Sequence, residues 1–267
     1  MCAKRLEIFL GKLVYQMPDK SKSKILLFAH QDIGYRTLEF ILSEFKNSLA
    51  GIVTVGDNEI IGLAKTSGIA HFDFNLYKKE WSTESLLQVD YIILAWWPKI
   101  ISKEIIDFPR IGAINFHPSY LPFNKGKNYN FWSIVEKCKF GVSLHFVDEG
   151  IDSGDVIFQR EISKSWEDTG ESLYIKAKSE MLTLFKKSYP KILNGEYVRI
   201  KQDKDAGSFH YEKELDKASL LELDKMVKTE DLLNLLRART FAGKPSCFFI
   251  ENDIKYEVRI AIKRKNN

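Results

Sequence analysis

Asn115 and His117 stand two residues apart in "AINFHPSYLP", at the end of an apolar run of strand type and just before a proline. On an extended chain, residues at i and i+2 face the same side. An amide donor beside an imidazole suits acyl transfer. The amide can hydrogen-bond an oxygen that becomes negative, and the imidazole can move the proton of an attacking nucleophile. A nearby carboxylate would orient the ring and favour its protonated form. The turn "VDEGIDSGD" offers Asp148, Glu149, Asp152 and Asp155 for that part. The same residue types also serve plain structure, with the His capping the following turn and the Asn bonding backbone. Spacing alone leaves both readings open.

The elements that must position these residues follow from apolar periodicity. "KILLFA" (24–29), "LAGIVTV" (49–55), a weaker "AHFDF" (70–74), "DYIILAWW" (90–97) and "GAINFH" (112–117) have strand length and composition. Unbroken apolar runs of this length suit parallel strands buried on both faces. Helical spacing appears between them in "YRTLEFILSEF" (35–45), "NEIIGLAKTSG" (58–68) and "ISKEIID" (101–107). The alternation predicts a doubly wound α/β sheet with right-handed crossovers, whose ligands bind at the carboxyl ends of the strands. Residues 141–162 then alternate around a Gly/Asp/Ser-rich turn, an antiparallel hairpin added to the sheet. In the following helix, Leu173, Ala177, Met181, Leu184, Ser188 and Ile192 form one inward face. Asp168 or Thr169 is placed to cap it and Gly195 to end it. Beyond residue 200, "TEDLLNLLRART" predicts a helix and "CFFIENDIKYEVRI" a hairpin turning at Asn252-Asp253. The organisation expected is an N-terminal extension (1–22), a catalytic domain (23–200) and an accessory helix and β-hairpin (201–267).

The composition excludes several classes. With 267 residues, 45% of them apolar, the chain can bury a substantial core. Its apolar runs are too short to cross a bilayer, and its first residues carry no secretion-signal pattern. Cys2, Cys138 and Cys247 are scattered and lack a CxxC pair, so a reducing cytoplasm is expected rather than a disulfide or zinc framework. A net charge of +4 suits a phosphate-bearing substrate but is too weak for a nucleic-acid partner. His145 alternates with Val142, Leu144 and Phe146, points away from their face and reads as structural. His30, His71 and His210 have no setting comparable to that of His117, no cluster has metal-ligand spacing, and no metal is expected. The glycine-rich fingerprints of dinucleotide and ATP sites are absent after the first strand.

"NFHPSYLPFNKG" followed by "GVSLHFVDEGIDSGDVIFQ" resembles the folate-dependent formyltransferases over roughly residues 24–200. The resemblance implies a Rossmann-like core and N10-formyltetrahydrofolate as the one-carbon donor. It also implies a catalytic set of Asn115, His117 and Asp152. The same resemblance puts the donor pocket between "AWWPKII" and "VDEGID", with Trp97, Ile100, Ile101 and Asp148 as contacts. Trp96 and Trp97 also have a plain core-packing reading, preferred for Trp96. "LPFNKGKNYNFWSI" and "LLNLLRARTFAGKPSCFFI" are similar to segments of the sugar N-formyltransferase branch, although the Gly and Pro of the latter are spaced differently. That branch implies a nucleotide-linked amino sugar, dTDP-linked in the first instance and destined for bacterial surface glycans, and a homodimer. Lys125 and Lys127 suit phosphates, and Tyr129 and Trp132 offer aromatic surface, although a solvated basic loop accounts equally for each lysine. The alternatives are a methionyl-tRNA formyltransferase, a formyltetrahydrofolate hydrolase, and an idle binding module.

Overall fold

The computed structural model describes residues 23–76, 88–203 and 205–265. The expected 1–22 extension lies outside them. Five strands, β1 (Ile25–Ala29), β2 (Leu49–Thr54), β3 (His71–Asp73), β4 (Tyr91–Ala95) and β5 (Gly112–His117), run parallel in the order β3-β2-β1-β4-β5. After a two-residue β6 (Lys125–Gly126), β7 (Gly141–Phe146) returns antiparallel beside β5, and β8 (Val156–Glu161) pairs antiparallel with β7. The sheet thus has seven strands, mostly parallel, closed at one edge by the hairpin foreseen from the alternation at 141–162.

Alternate residues feed two cores, one on each face. Ile25, Leu27, Tyr91, Ile93, Ile114, Phe116, Val142 and Leu144 join one; Leu26, Phe28, Ile92, Leu94 and Ala113 join the other. On this second face the apolar pattern stops at β5 and β7, where Asn115, His117, Ser143 and His145 follow the same parity. The first face is covered by the helix Gly170–Leu193, whose Leu173, Ala177, Met181, Leu184, Ser188 and Ile192 are all buried. Its N-cap is Thr169, in a reciprocal pair with Ser172, while Asp168 is buried beside it and bonds Ser165, Ser172 and Lys176.

The helix after β1 begins at Gln31, four residues before the apolar spacing starts. A tight entry permits this: Gln31 takes φ 54, and Gly34 lies so close to β1 that a Cβ would meet the Ala29 carbonyl carbon at 2.8 Å. Later in the chain come β9 (Phe209–His210), paired in parallel with β6, and the helix Thr229–Arg239. Arg237 docks that helix on the core, donating to the carbonyls of Ser165 and Asp168. The chain ends in β10 (Cys247–Glu251) and β11 (Ile254–Val258), which turn at Asn252 and Asp253, both in the left-handed region. Among the described residues no helix is long and apolar enough to cross a membrane.

Candidate functional site

β5 ends with Asn115 and His117 side by side on the polar part of the second face. Antiparallel pairing sets Asn115 opposite His145 and His117 opposite Ser143. Residues directly opposed across such a pair share a face and touch. Accordingly Asn115 Nδ2 lies 3.3 Å from His145 Nε2. Ser143 pins the chain that leaves β5, accepting from the Leu121 N–H and donating to the Ser119 carbonyl.

The third member arrives on the turn between β7 and β8. The Phe146 N–H bonds the Asp155 carbonyl, and Gly154 packs so closely that a Cβ would sit 2.0 Å from the Phe146 oxygen. Asp148 stiffens the turn by accepting from the Gly150 N–H and the Ser153 hydroxyl. Asp152 then takes φ 52 and turns its carboxylate toward β5. Its Oδ1 lies 3.3 Å from Asn115 Nδ2 and 3.5 Å from His145 Nε2. Its Oδ2 lies 3.3 Å from His117 Nδ1 and accepts from the Gly126 N–H at 2.9 Å. One carboxylate therefore meets both residues of the Asn-x-His pair.

The electrostatics follow from burial and partners. His117 is 4% exposed, and burial lowers its pKa against the opposing pull of Asp152. Its resting ring is neutral, with the hydrogen on Nε2 donated to the Asn124 carbonyl at 3.0 Å. Nδ1 then faces the carboxylate without a hydrogen and is set to receive one. Burial resists ionisation of Asp152, but the charge that His117 carries once it is protonated, together with the Gly126 N–H, outweighs it. The carboxyl is held well below the ordinary range. His145, 2% exposed, uses Nδ1 on the Phe146 carbonyl, which leaves Nε2 to accept from Asn115. Both hydrogens of the Asn115 amide are thus engaged through long contacts, which an oxygen gaining full negative charge would displace.

His145 reads as structural in the sequence, yet it is a direct neighbour of Asn115 and Asp152. Its parity was visible; what was missing was the register that opposes it to Asn115. Gln202 carried no signal at all. Its amide donates to the carbonyls of Asp152 and Gly154, both at 2.8 Å, from fifty and forty-eight residues away.

The expected donor contacts divide. Trp97 packs edge-on against Phe28 and Phe74, and Ile101 is buried in the same core, whereas Ile100 is 87% exposed. Trp96 is half-buried, edge-on to Tyr174, with φ 60. Trp97 Nε1 and Gln202 Oε1 are buried polar atoms without a partner, a donor and an acceptor of the kind that the polar edge of a flat heterocycle satisfies. Among the acceptor contacts, Lys125 and Lys127 make no ion pair with any described residue. Tyr129 is buried, edge-on to His117. Trp132 has one face covered by the ring of His210, 3.8 Å away and nearly parallel. Among the described residues no group of three or more His, Cys, Asp or Glu is placed to hold a metal ion.

The profile of the family described as "Formyl transferase" matches residues 75–187, and that of the "N-formyltransferase dimerization C-terminal domain" matches 214–264. The formyltransferase PseJ from Anoxybacillus kamchatkensis, solved with UDP-4,6-dideoxy-4-formamido-L-AltNAc and tetrahydrofolate, is 31% identical. It aligns over 73% of this chain and 89% of its own, with a TM-score of 0.56. A 4-N formyltransferase from Francisella tularensis shares the fold at 21% identity and a TM-score of 0.74, over 91% of this chain and 99% of its own. The methionyl-tRNA formyltransferase of Fusobacterium nucleatum is 40% identical over 124 residues, 46% of this chain and 40% of its own length. The chain spans about two fifths of the length of the first curated relatives it matches, 38% and 40%.

Proposed function

Because the chain belongs to the formyl transferase family, we propose that it transfers a formyl group from N10-formyltetrahydrofolate to the amine of an amino-deoxy sugar carried on a nucleoside diphosphate. The observation that carries this reading is the single buried carboxylate, Asp152, within 3.3 Å of both Asn115 and His117.

The donor, when bound, supplies an activated formyl carbon. This chain's residues do the rest. Trp97, Ile100 and Ile101 are assigned as apolar contacts of the donor, and the unpartnered Trp97 Nε1 and Gln202 Oε1 as candidate polar partners for its ring. The Asn115 amide donates to the formyl oxygen as negative charge builds there, leaving its long contacts with His145 and Asp152. His117 takes the proton of the incoming amine at Nδ1, Asp152 stabilises the resulting cation, and the ring returns the proton to the donor nitrogen that leaves as its bond to the formyl carbon breaks. Burial of both rings keeps water out, which strengthens these interactions.

Lys125 and Lys127, which make no ion pair among the described residues, are assigned to the diphosphate. The structure 31% identical to this chain holds a UDP-linked 4-formamido sugar, which favours a 4-amine on the acceptor. A dTDP-linked amino sugar, of the kind the resemblance implies, is held by a structure of 20% identity. The formamido sugar would enter a bacterial surface glycan, the use that the resemblance implies. The C-terminal profile match and the exposed Ile250, Ile254 and Tyr256 of the β10–β11 hairpin support a homodimer built through that hairpin.

The test is a panel of amines with N10-formyltetrahydrofolate, read by mass spectrometry: UDP- and dTDP-linked amino sugars, glycinamide ribonucleotide and charged initiator tRNA. A formylated nucleotide sugar is expected; formylation of the tRNA alone would overturn the sugar reading. Formate released without loss of amine would indicate a hydrolase. A pH dependence follows as well. His117 must be neutral to accept the amine proton, and its pKa lies below the usual 6.5. Once the ionisation of the free acceptor amine, titrated separately, is divided out of kcat/KM, the acid limb that remains is expected below pH 6.5. Asp152 stays ionised throughout and adds no limb. A residual limb above the ordinary histidine value, after that division, would contradict the assignment.

A further inference from the structure

His210 lies outside the Asn115, His117 and Asp152 group, yet a continuous chain of hydrogen bonds ties it to them. Its ring lies flat on Trp132, 3.8 Å between centroids and 7° from parallel, with the side chain 11% exposed. Nε2 is 2.7 Å from Glu136 Oε1, and Nδ1 is 3.0 Å from Glu214 Oε2. The other oxygen of Glu136 accepts from Asn124 Nδ2 at 2.9 Å and from the Ser208 hydroxyl at 2.7 Å. Asn124 is fully buried with φ 53, and its carbonyl is the one that receives His117 Nε2–H. A second line runs through backbone. β9 pairs with β6, the Lys127 N–H donates to the His210 carbonyl at 3.0 Å, and the Gly126 N–H reaches Asp152. The approach is close enough that a Cβ on Gly126 would stand 2.3 Å from the His210 oxygen.

The orientation of an imidazole is set by the partner of the nitrogen that does not react. For His117 that partner is a carbonyl on a left-handed residue whose side chain is held by Glu136. Glu136 follows a short helix, Tyr129–Val135, and nothing within that helix fixes its carboxylate. His210, itself wedged against Trp132, supplies the fixed point.

We propose that His210 is a positioning residue for the transfer: held between Glu136 and Glu214, it sets the Asn124 carbonyl that fixes the tautomer and orientation of His117. The kinetic arm of its test rests on the formyl-transfer reading; the spectroscopic arm does not. His210→Phe keeps the ring on Trp132 and the backbone pairing but removes both nitrogens. His210→Gln keeps one amide donor toward Glu136.

With 15N-histidine-labelled protein, the His117 ring signals, assigned by their loss in His117→Gln, are followed by NMR. In His210→Phe the Nε2–H signal of His117 is expected to shift and to exchange faster with water at unchanged melting temperature. His210→Gln restores it in large part, and His71→Phe, at an exposed strand position, leaves it unmoved. In turnover, His210→Phe lowers kcat about tenfold with both KM values unchanged, and adding Glu136→Gln lowers it no further. An unmoved His117 signal in His210→Phe overturns the proposal whether or not any amine is formylated. So does additive loss in the double variant. Should His210→Phe fail to fold, Glu136→Gln alone must move the same signal, or the proposal falls. A wild-type chain that formylates nothing while the signal moves as expected overturns the formyl-transfer reading and upholds the positioning role.

Discussion

Asp152→Asn is expected to lower turnover by roughly a thousandfold or more, the scale on which a histidine-dependent acyl transfer suffers when its orienting carboxylate is replaced by an amide. Folate affinity should stay close to that of the parent chain, because the turn that carries the residue is held by Asp148 and Gln202 through backbone contacts that the substitution does not touch. The loss has two sources. First, the cation formed on His117 loses its only buried counter-charge among the described residues, 3.3 Å away. Second, an amide has one NH2. If its oxygen keeps the Gly126 N–H, its nitrogen faces Asn115 Nδ2, donor against donor, and the Asn115 amide must rotate away from the position where it meets the formyl oxygen. If it flips, the nitrogen opposes the Gly126 N–H, and a buried donor is left unpaired. A thousandfold corresponds to about 4 kcal/mol of lost transition-state stabilisation. The measurement is steady-state kcat at saturating donor and acceptor, paired with calorimetric binding of a folate analogue. Near-normal turnover would remove Asp152 from the mechanism; lost turnover together with lost folate binding would assign it to the pocket instead.

The parts of this site that the sequence exposed are those written in short-range pattern. The strand runs ending in "GAINFH" fixed β5 and its polar end, because burial on both faces demands apolar residues until the chain leaves the sheet. The parity of His145 was equally plain. Its contact with Asn115 was not, because that depends on the β5–β7 register, and the long connection between those strands, residues 118–140, leaves no short-range pattern that sets it. The β6–β9 pairing is two residues long on each side, too short to leave any periodicity, yet it brings the Gly126 N–H to Asp152. Gln202 lies in a stretch without pattern, and only the folded chain carries its amide to Asp152 and Gly154. Trp132 shows the converse. The sequence offered it as aromatic surface for the acceptor, and only the fold shows that one of its faces is stacked on His210. The entry to the helix at Gln31 was hidden for a local reason: a left-handed residue and a glycine close approach start the helix, without a side-chain cap to announce it.

Substitution of Asn115 separates an oxyanion donor from a merely structural amide. Asn115→Ala removes both hydrogens and leaves Asp152 with the Gly126 N–H, so the carboxylate stays satisfied and the fold should persist. The expected cost is on the order of a hundredfold to a thousandfold in kcat, about 2.7–4 kcal/mol, as for removal of one donor to a developing oxyanion. KM for donor and acceptor should change little, because the contact with the formyl oxygen strengthens only as charge develops. Asn115→Asp, nearly identical in shape, should be worse at neutral pH. It would set a second carboxylate where Asn115 Nδ2 now lies 3.3 Å from Asp152 Oδ1. Two carboxyls that close cannot both ionise, so they share a proton, as paired carboxylates in one site do. The pair then neither donates cleanly to the formyl oxygen nor offers His117 a full counter-charge. The order of kcat is therefore parent, then Ala, then Asp. A structural amide would reverse the last two, since the carboxylate that preserves shape would outperform the truncation, and that reversal would move the oxyanion donor elsewhere in the site.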